Sequence, residues 1–366
     1  MKLKEHIRHD YFVIQWHLTE RCNWQCLHCY QEKREFKELS YSEIKNVFKQ
    51  CLDLFQALHI PREMAHINIG GGEPLLREDL FKILSLFKNE RSRIIYKIMT
   101  NGSLITDSIA KRLSVYGVSG VQVSLEGLEE HNDMIRGKGS FKKAIAAIRL
   151  LQKHNISVRV SITLTRINLD EIEDLAVYLK SLGVKNMGIR RYVPEGRGIE
   201  LRKFMLSPQE LREFYLKRER LKDMFDKKGD FSIPYGCEDG IFLSQAYLKQ
   251  NHYVCGVVKG HHLNIFTNGD ILACRRFPIV LGNVLKRSLL EVYFSSPELA
   301  CFRDLHNAHP LCLECRYFKG CLGGAKCVTY AYFKNPSAPD PQCWKLFKKL
   351  PDPTKFRIRN TPGIPL

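Results

Sequence analysis

Three cysteines stand close together early in the chain, in the stretch TERCNWQCLHCYQ over residues 19–31. Cys22 and Cys26 are separated by three residues, Cys26 and Cys29 by two. Thiols this close on one loop are suited to a metal centre. A structural zinc site normally closes with four ligands, and a purely structural iron–sulfur cluster with four cysteines. Three leave one corner open. In a four-iron cubane each thiolate takes one iron, and the fourth iron needs a bidentate, non-protein ligand; an amino acid's α-amine and α-carboxylate would serve. The residues alone leave two alternatives: a zinc site completed by His28, and a ligand-poor structural cluster.

More cysteines follow far downstream. Cys312, Cys315 and Cys321 are spaced by two and five residues, Cys343 lies further on, and Cys255 and Cys274 lie upstream. CxxC spacing also suits a zinc ribbon. The chain has 13 cysteines, an odd number, with no apolar segment of a secretory signal in residues 1–10. Metal binding in a reducing cytoplasm is the better reading than disulfides. Cys51 and Cys301 fall on apolar helix faces and read as core. No apolar run of membrane-spanning length occurs.

The 366 residues, 44% hydrophobic and 26% charged, describe a globular chain with a sizeable core. The net charge of +18 raises the question of nucleic acid. Segments such as LREFYLKRERLKDMFDKK (211–228) mix both signs, as solvated helix faces do. An acidic peptide or an acidic electron-donor protein suits the charge equally well.

The elements that must position these residues alternate. Strands are expected at 12–18, 65–70, 93–99, 120–126, 156–165 and 184–191, and helices at 41–59, 78–88, 107–116, 141–153 and 169–183. Ile44, Val47, Phe48, Cys51, Leu52, Phe55 and Leu58 share one face of the first helix. Such alternation predicts parallel strands joined by crossover helices, closed or nearly closed into a barrel. Chemistry-bearing residues follow the strands in register. The cysteine loop comes after the first, GGGEP (70–74) after the second and TNG (100–102) after the third. SLEG (124–127), Thr163 with Asn168, and Arg190 with Arg191 end the next three. All face the carboxyl edge, where barrels place their sites. A helix is expected over 207–228, and LNIFTNGDILACRRFP (263–278) predicts a hairpin turning at Asn268-Gly269.

Cys22-x3-Cys26-x2-Cys29 with these later motifs resembles the radical S-adenosylmethionine superfamily. The resemblance implies a partial (β/α)6 barrel in which the three cysteines hold a [4Fe-4S] cluster and are catalytic. The methionyl end of the cofactor takes the open iron, and an electron from the reduced cluster breaks a carbon–sulfur bond to give a 5′-deoxyadenosyl radical. Gly71, Gly72, Glu73 and Pro74 resemble the family's GGEP, close to the cofactor's ammonium. Asn101, Ser124 and Glu126 match positions near its carboxylate, sulfonium and ribose, with strand-end capping as their alternative. Arg136, in HNDMIRGKGSF (131–141), is expected to face a carboxylate, and Arg191 to join the cofactor site. His28 and Tyr30 are expected to pack around the cluster.

The C-terminal cysteines resemble a SPASM domain, a small α+β extension carrying one or two auxiliary iron–sulfur clusters. The resemblance assigns Cys312, Cys315, Cys321 and Cys343 to a complete cluster. It also shows a departure: Ala325 stands where another cysteine is expected, with a cysteine at 327 instead. Cys255, Cys274 and Cys327 would then hold the cluster nearer the active site, with Cys237 and His261 or His262 as weaker candidates. Arg275 and Arg276 follow Cys274 where sulfatase-maturing members have an aspartate, which suits an acidic or carboxylate-bearing substrate.

The expected organisation is a radical core at 1–200, a bridging region at 201–250, the SPASM extension at 251–350 and a basic tail at 351–366. The expected activity is hydrogen abstraction from a ribosomally made peptide or protein, with an iron-porphyrin oxidative decarboxylase as the small-molecule alternative. About 20 residues precede the first motif, so a separate peptide-presenting protein is expected if the substrate is a leader peptide. A flavodoxin- or ferredoxin-like donor and a cytoplasmic location complete the expectation; no membrane partner is expected, and nucleic acid is disfavoured.

Overall fold

The computed structural model describes residues 11–31, 37–226, 229–246 and 254–352. Residues 353–366 of the expected tail lie outside them. Six strands come at the expected places: β1 (Phe12–Thr19), β2 (Ala65–Gly71), β3 (Ile95–Thr100), β4 (Val121–Ser124), β5 (Val158–Leu164) and β6 (Asn186–Arg191). All pair in parallel with their sequence neighbours. Between them run α1 (Tyr41–Ala57), α2 (Leu80–Asn89), α3 (Asp107–Val115), α4 (Glu129–Arg136), α5 (Ser140–Lys153) and α6 (Ile172–Ser181). Ser40 starts α1 through a capping box with Glu43, which satisfies two backbone donors at once.

Period-two alternation divides the strands between two environments. Phe12, Ile14, Trp16 and Leu18 of β1 are buried under the helices, as are Ile67 and Ile69 of β2 and Val158, Val160 and Ile162 of β5. Their neighbours Gln15 and His17, His66 and Asn68, and Arg159 and Ser161 turn to the hollow of the barrel. A closed eight-stranded barrel fills that space with apolar layers. Six strands leave it open and polar.

The sheet ends at β6 on one side but continues past β1 on the other, with strands from beyond the expected domain boundary. β7 (His262–Ile265) pairs in parallel with β1, and β8 (Asp270–Cys274) and β9 (Phe277–Asn283) continue antiparallel. The nine strands run β6-β5-β4-β3-β2-β1-β7-β8-β9. The predicted hairpin is present, and its turn spans Phe266 to Gly269, closed by the Gly269 N–H on the Phe266 carbonyl at 3.0 Å. Gly269 takes a φ of +87°, which favours glycine. In the expected bridging region, α7 (Pro208–Asp226) buries Leu211, Phe214, Tyr215 and Leu221 in the same core as the barrel strands. Cys51 is buried in that core too, as expected, while Cys301 is only partly buried.

Within the half-barrel α4 is not among the expected helices, because its eight residues hold only two apolar side chains, Met134 and Ile135. Its signals are acidic residues in the first turn (Glu129, Glu130) and Arg136 in the last, matched to the helix dipole. The helix carries Arg136 to the site.

Candidate active site

The cysteine loop is fixed mainly by backbone. At the end of β1 the ladder slips, so that Thr19 pairs with Gly71. The Gly72 N–H then donates to the Thr19 carbonyl at 2.7 Å and the Glu73 N–H to the Arg21 carbonyl at 2.8 Å. A Cβ at Gly71 would meet the Thr19 oxygen at 2.1 Å, and one at Gly72 the Arg21 oxygen at 2.3 Å. These glycines are required first by the cysteine loop itself. The far side of the loop is held by the Leu27 N–H on the Ile135 carbonyl (2.8 Å) and the Gly198 N–H on the Cys29 carbonyl (2.9 Å).

Each sulfur has a donor beside it. Asn101 Nδ2 lies 3.9 Å from Cys22 Sγ, Arg136 Nη1 3.7 Å from Cys26 Sγ, and the Gln31 N–H 3.4 Å from Cys29 Sγ. Burial pushes the Cys22 thiol up to about 11 and raises that of Cys26. Thiols so disposed stay protonated until a metal's charge ionises them. His28 Nε2 lies 3.0 Å from Glu126 Oε1, which fixes the ring beside the cysteine loop.

Glu126 is the hub of the site. Arg136 donates through Nε at 3.0 Å and also through Nη2, and the Thr163 N–H donates to the other oxygen at 2.5 Å. Burial favours the neutral acid, yet Arg136, His28 and the Thr163 N–H hold the carboxyl below its ordinary range. Its own carbonyl accepts from buried Asn168 at 2.6 Å. Glu126 was expected to approach a ribose, and Arg136 a carboxylate. The structure gives the two groups to each other, with Arg136 also touching a thiol.

Glu73 lies behind the wall of the site. It is fully buried and accepts from Thr100 Oγ1 at 2.8 Å and 2.9 Å, from the Asn101 N–H at 2.8 Å and from the Leu75 N–H at 3.1 Å. Burial raises its carboxyl to about 7. Neither Glu73 nor Pro74 lines the cavity, whereas Gly70, Gly71, Gly72, Asn101 and Ser124 do. Glu73 thus locks the GGEP turn to the TNG turn.

Arg191 is engaged within the chain too. It falls on the opposite pleat of β6 from Arg190, and its guanidinium is held by Asp340 at 2.7 Å and 2.8 Å and by Gln342. Asp340 also accepts from the Ala325 N–H at 3.0 Å. Arg191 still lines the main cavity, and the pair ties β6 to the C-terminal cysteine region. Arg275 and Arg276 are likewise paired within the chain, each keeping one buried donor, Arg275 Nε and Arg276 Nη1, without a hydrogen bond. Arg275 makes two 3.0 Å bonds to Glu20, and Arg276 pairs with Glu238, which Arg190 also meets at 3.2 Å.

The remaining thiols form two groups. Cys312, Cys315, Cys321 and Cys343 line one small pocket closed by Phe318, Leu346 and Ile241. Cys237, Cys255, Cys274 and Cys327 all open on the main cavity, which also holds the cysteine loop and has a volume of about 1560 Å³. Arg276 interacts electrostatically with Cys237, Cys274 and Cys327, and Cys255 with the same three thiols. Cys237 therefore stands on equal footing with Cys327, a placement the linear spacing did not reveal. His262 is fully engaged with Asn264 at 2.7 Å, and burial lowers its imidazole to about 3. Among the described residues no three His, Cys, Asp or Glu side chains converge on a single metal ion. Four irons and their sulfides hold thiolates farther apart than one ion does.

A parallel half-barrel with three thiols at its carboxyl edge, and two further sets of thiols in the region that follows it, is the frame of an iron–sulfur enzyme. Residues 16–179 match the model of the radical SAM superfamily and residues 255–316 that of the SPASM iron–sulfur cluster-binding domain. The chain belongs to the radical S-adenosylmethionine superfamily, in its SPASM-bearing branch. It is an enzyme whose cofactors are S-adenosylmethionine, a [4Fe-4S] cluster and one or two auxiliary iron–sulfur clusters. Mycofactocin maturase MftC of Mycolicibacterium smegmatis is 29% identical over 343 residues, 90% of this chain and 82% of that protein. Fe-coproporphyrin III synthase of Methanosarcina barkeri is 28% identical over 361 residues, 91% of this chain and 87% of that one. The structure of Streptococcus suis SuiB bound to S-adenosylmethionine superposes with a TM-score of 0.74 at 21% identity, covering 92% of this chain and 78% of that chain. Native anSMEcpe with bound AdoMet gives 0.72 at 19% identity, covering 91% and 94%. At those identities the two structures establish the fold. No helix among the described residues is long and apolar enough to cross a membrane.

Proposed function

We propose that this enzyme abstracts a hydrogen from a carbon of a ribosomally made peptide or protein. The observation that carries the reading is the cavity of about 1560 Å³, which joins the cysteine loop to the face of Cys237, Cys255, Cys274 and Cys327. Pockets for small ligands typically run to about 300–1,000 Å³, so this one has room for a substrate segment beside the cofactor and clusters. Likeness to a maturase over 90% of the chain supports it. Cys22, Cys26 and Cys29 would hold the cluster that binds S-adenosylmethionine, which supplies the 5′-deoxyadenosyl radical when bound. The backbone at Gly70–Gly72, with Asn101 and Ser124, borders the position for the cofactor. Arg136 and Asn101 direct N–H groups at the sulfurs, and Glu126 with His28 holds Arg136 in place.

In this reading Cys312, Cys315, Cys321 and Cys343 hold an enclosed auxiliary cluster, and Cys237, Cys255, Cys274 and Cys327 a second one beside the substrate. A flavodoxin- or ferredoxin-like protein would supply electrons in a reducing cytoplasm, and a separate protein would present a leader-bearing peptide. Likeness to the Fe-coproporphyrin III synthase favours one second reading, an iron-porphyrin substrate. Anaerobic incubation of the reconstituted enzyme with reductant, S-adenosylmethionine and peptides encoded beside its gene, followed by mass spectrometry, tests the proposal. The expected result is a peptide mass change with 5′-deoxyadenosine formed alongside. Turnover of an iron porphyrin with every peptide unchanged would overturn the peptide reading.

A further inference from the structure

The inner face of the half-barrel, below the cysteine loop, carries a row of basic residues. His66 on β2, Lys97 on β3, Arg159 on β5 and Arg190 on β6 all line the cavity. The carboxylates lining the same cavity are already paired. Glu20 has Arg275, Glu38 has Arg21 and Arg77, Glu126 has Arg136, and Glu238 has Arg190 and Arg276. Among the described residues Lys97 and Arg159 form no ion pair, the Glu238 carboxylate acts on Arg159 only at longer range, and Arg159 Nε is a buried donor without a hydrogen bond.

The strand register makes room for this arrangement. Arg159 sits opposite Gln122 on β4 and Asn186 on β6. A Cβ at Gly188 would stand 2.5 Å from Arg159 Nη2, so a side chain there would displace the guanidinium from its seat against β6. The basic groups also oppose one another. Burial and then Arg159 lower the Lys97 ammonium, burial and then Arg190 lower the Arg159 guanidinium to about 10, and burial and then Lys97 bring the His66 imidazole down to about 4. Uncompensated cations in a half-buried, polar cavity are costly unless an anion joins them.

We propose that Lys97 and Arg159 form an anion subsite inside the half-barrel that binds a carboxylate of the substrate. The inference rests on the reading of this cavity as the substrate site. A bound carboxylate would accept hydrogen bonds from Lys97 Nζ and the Arg159 guanidinium, including the unused Nε donor. Both substrate readings contain this chemistry, an acidic side chain or C-terminus of a peptide and the propionates of a porphyrin. Such an anchor would fix how deep the substrate sits, and so which carbon lies near the cysteine loop.

The test is equilibrium binding to the reconstituted full-length enzyme, read by spectroscopic titration. The probes are hexaglutamate and a tetracarboxylate iron porphyrin, each set against its neutral counterpart, hexaglutamine or the tetramethyl ester. At least one carboxylate probe should bind more tightly than its neutral counterpart, and the difference identifies the source of the carboxylate. Lys97→Gln combined with Arg159→Gln should weaken that binding tenfold or more, whereas Lys97→Arg combined with Arg159→Lys should largely retain it. Equal binding of charged and neutral probes would overturn the subsite. So would unchanged affinity in the glutamine variant, equal loss in both variants, or binding of a single-stranded RNA oligomer in place of either carboxylate. Formation of 5′-deoxyadenosine by the native enzyme under reductant reads the radical chemistry separately. An enzyme that forms it but binds neither carboxylate sinks the subsite alone; one that binds them and forms none sinks the proposed chemistry and leaves the subsite standing.

Discussion

The two cysteine-bearing regions are built by different physics. The N-terminal loop takes its thiols from eight consecutive residues and is held by main-chain hydrogen bonds to β2, α4 and the segment around Gly198. The C-terminal region gathers Cys237, Cys255, Cys274 and Cys327 from segments far apart in sequence. Buried charge pairs tie it to the barrel: Arg191 with Asp340, Arg275 with Glu20, and Glu238 between Arg190 and Arg276. A site made of main-chain contacts tolerates no added bulk. A site made of charge pairs tolerates no lost partner.

The widest separation between the regions is expected on removing the loop thiols. Replacing Cys22, Cys26 and Cys29 together with alanine should abolish 5′-deoxyadenosine formation while iron remains at the C-terminal sites, measured by product chromatography and iron analysis. Loss of all iron would show that the two regions do not assemble independently. Next in size is Arg191→Gln. It leaves Asp340 buried without its cation, and breaking such a pair typically costs about 3–5 kcal/mol. Chemical denaturation should register that loss, together with weakened iron retention at the C-terminal sites. Unchanged stability would mean that the pair does not join the two regions.

A subtler contrast lies within the C-terminal region. Cys315→Ala removes a thiolate from the enclosed pocket and should cost that cluster its iron. Cys237→Ala and Cys327→Ala open a ligand position facing the cavity, and the potential of such a centre depends on its ligand set and exposure. The expected result is a shifted Mössbauer and redox signature with partial iron loss in both variants. A change in Cys327→Ala alone would remove Cys237 from the ligand set.

What could be read from the chain follows the same division. The six strands and the motifs after them were legible, because period-two burial and contiguous spacing are local signals. The roles of individual charges were not. Arg275 and Arg276 read as substrate-facing and Arg191 as cofactor-facing, yet their partners Glu20, Glu238 and Asp340 lie up to 255 residues away. The parallel seam between β1 and β7 was hidden for the same reason, since nothing near Val13 marks His262 as its neighbour. Glu73 was misplaced differently: its motif marked the correct turn, but only the fold shows the carboxylate turned inward to Thr100 and Asn101.

That inward turn gives the smallest effect. A Glu73 carboxyl near 7 in the folded chain, against an ordinary value of 4.5, means that the native state holds a proton which the unfolded state releases between those limits. Stability from this group is therefore fully present below about pH 4.5 and is lost as the pH rises through about 7. Between pH 5 and pH 7 the loss amounts to about 2 kcal/mol. Glu73→Gln removes the titration and keeps an oxygen to accept from Thr100 and Asn101. Denaturation of both proteins across that range should show native stability falling relative to the variant as pH rises. A constant difference would mean that the carboxylate is ionised throughout. The GGEP and TNG turns would then be locked by a charge, as the C-terminal region is, and the contrast between main-chain and charge-paired construction would fail at the residue where the two turns meet.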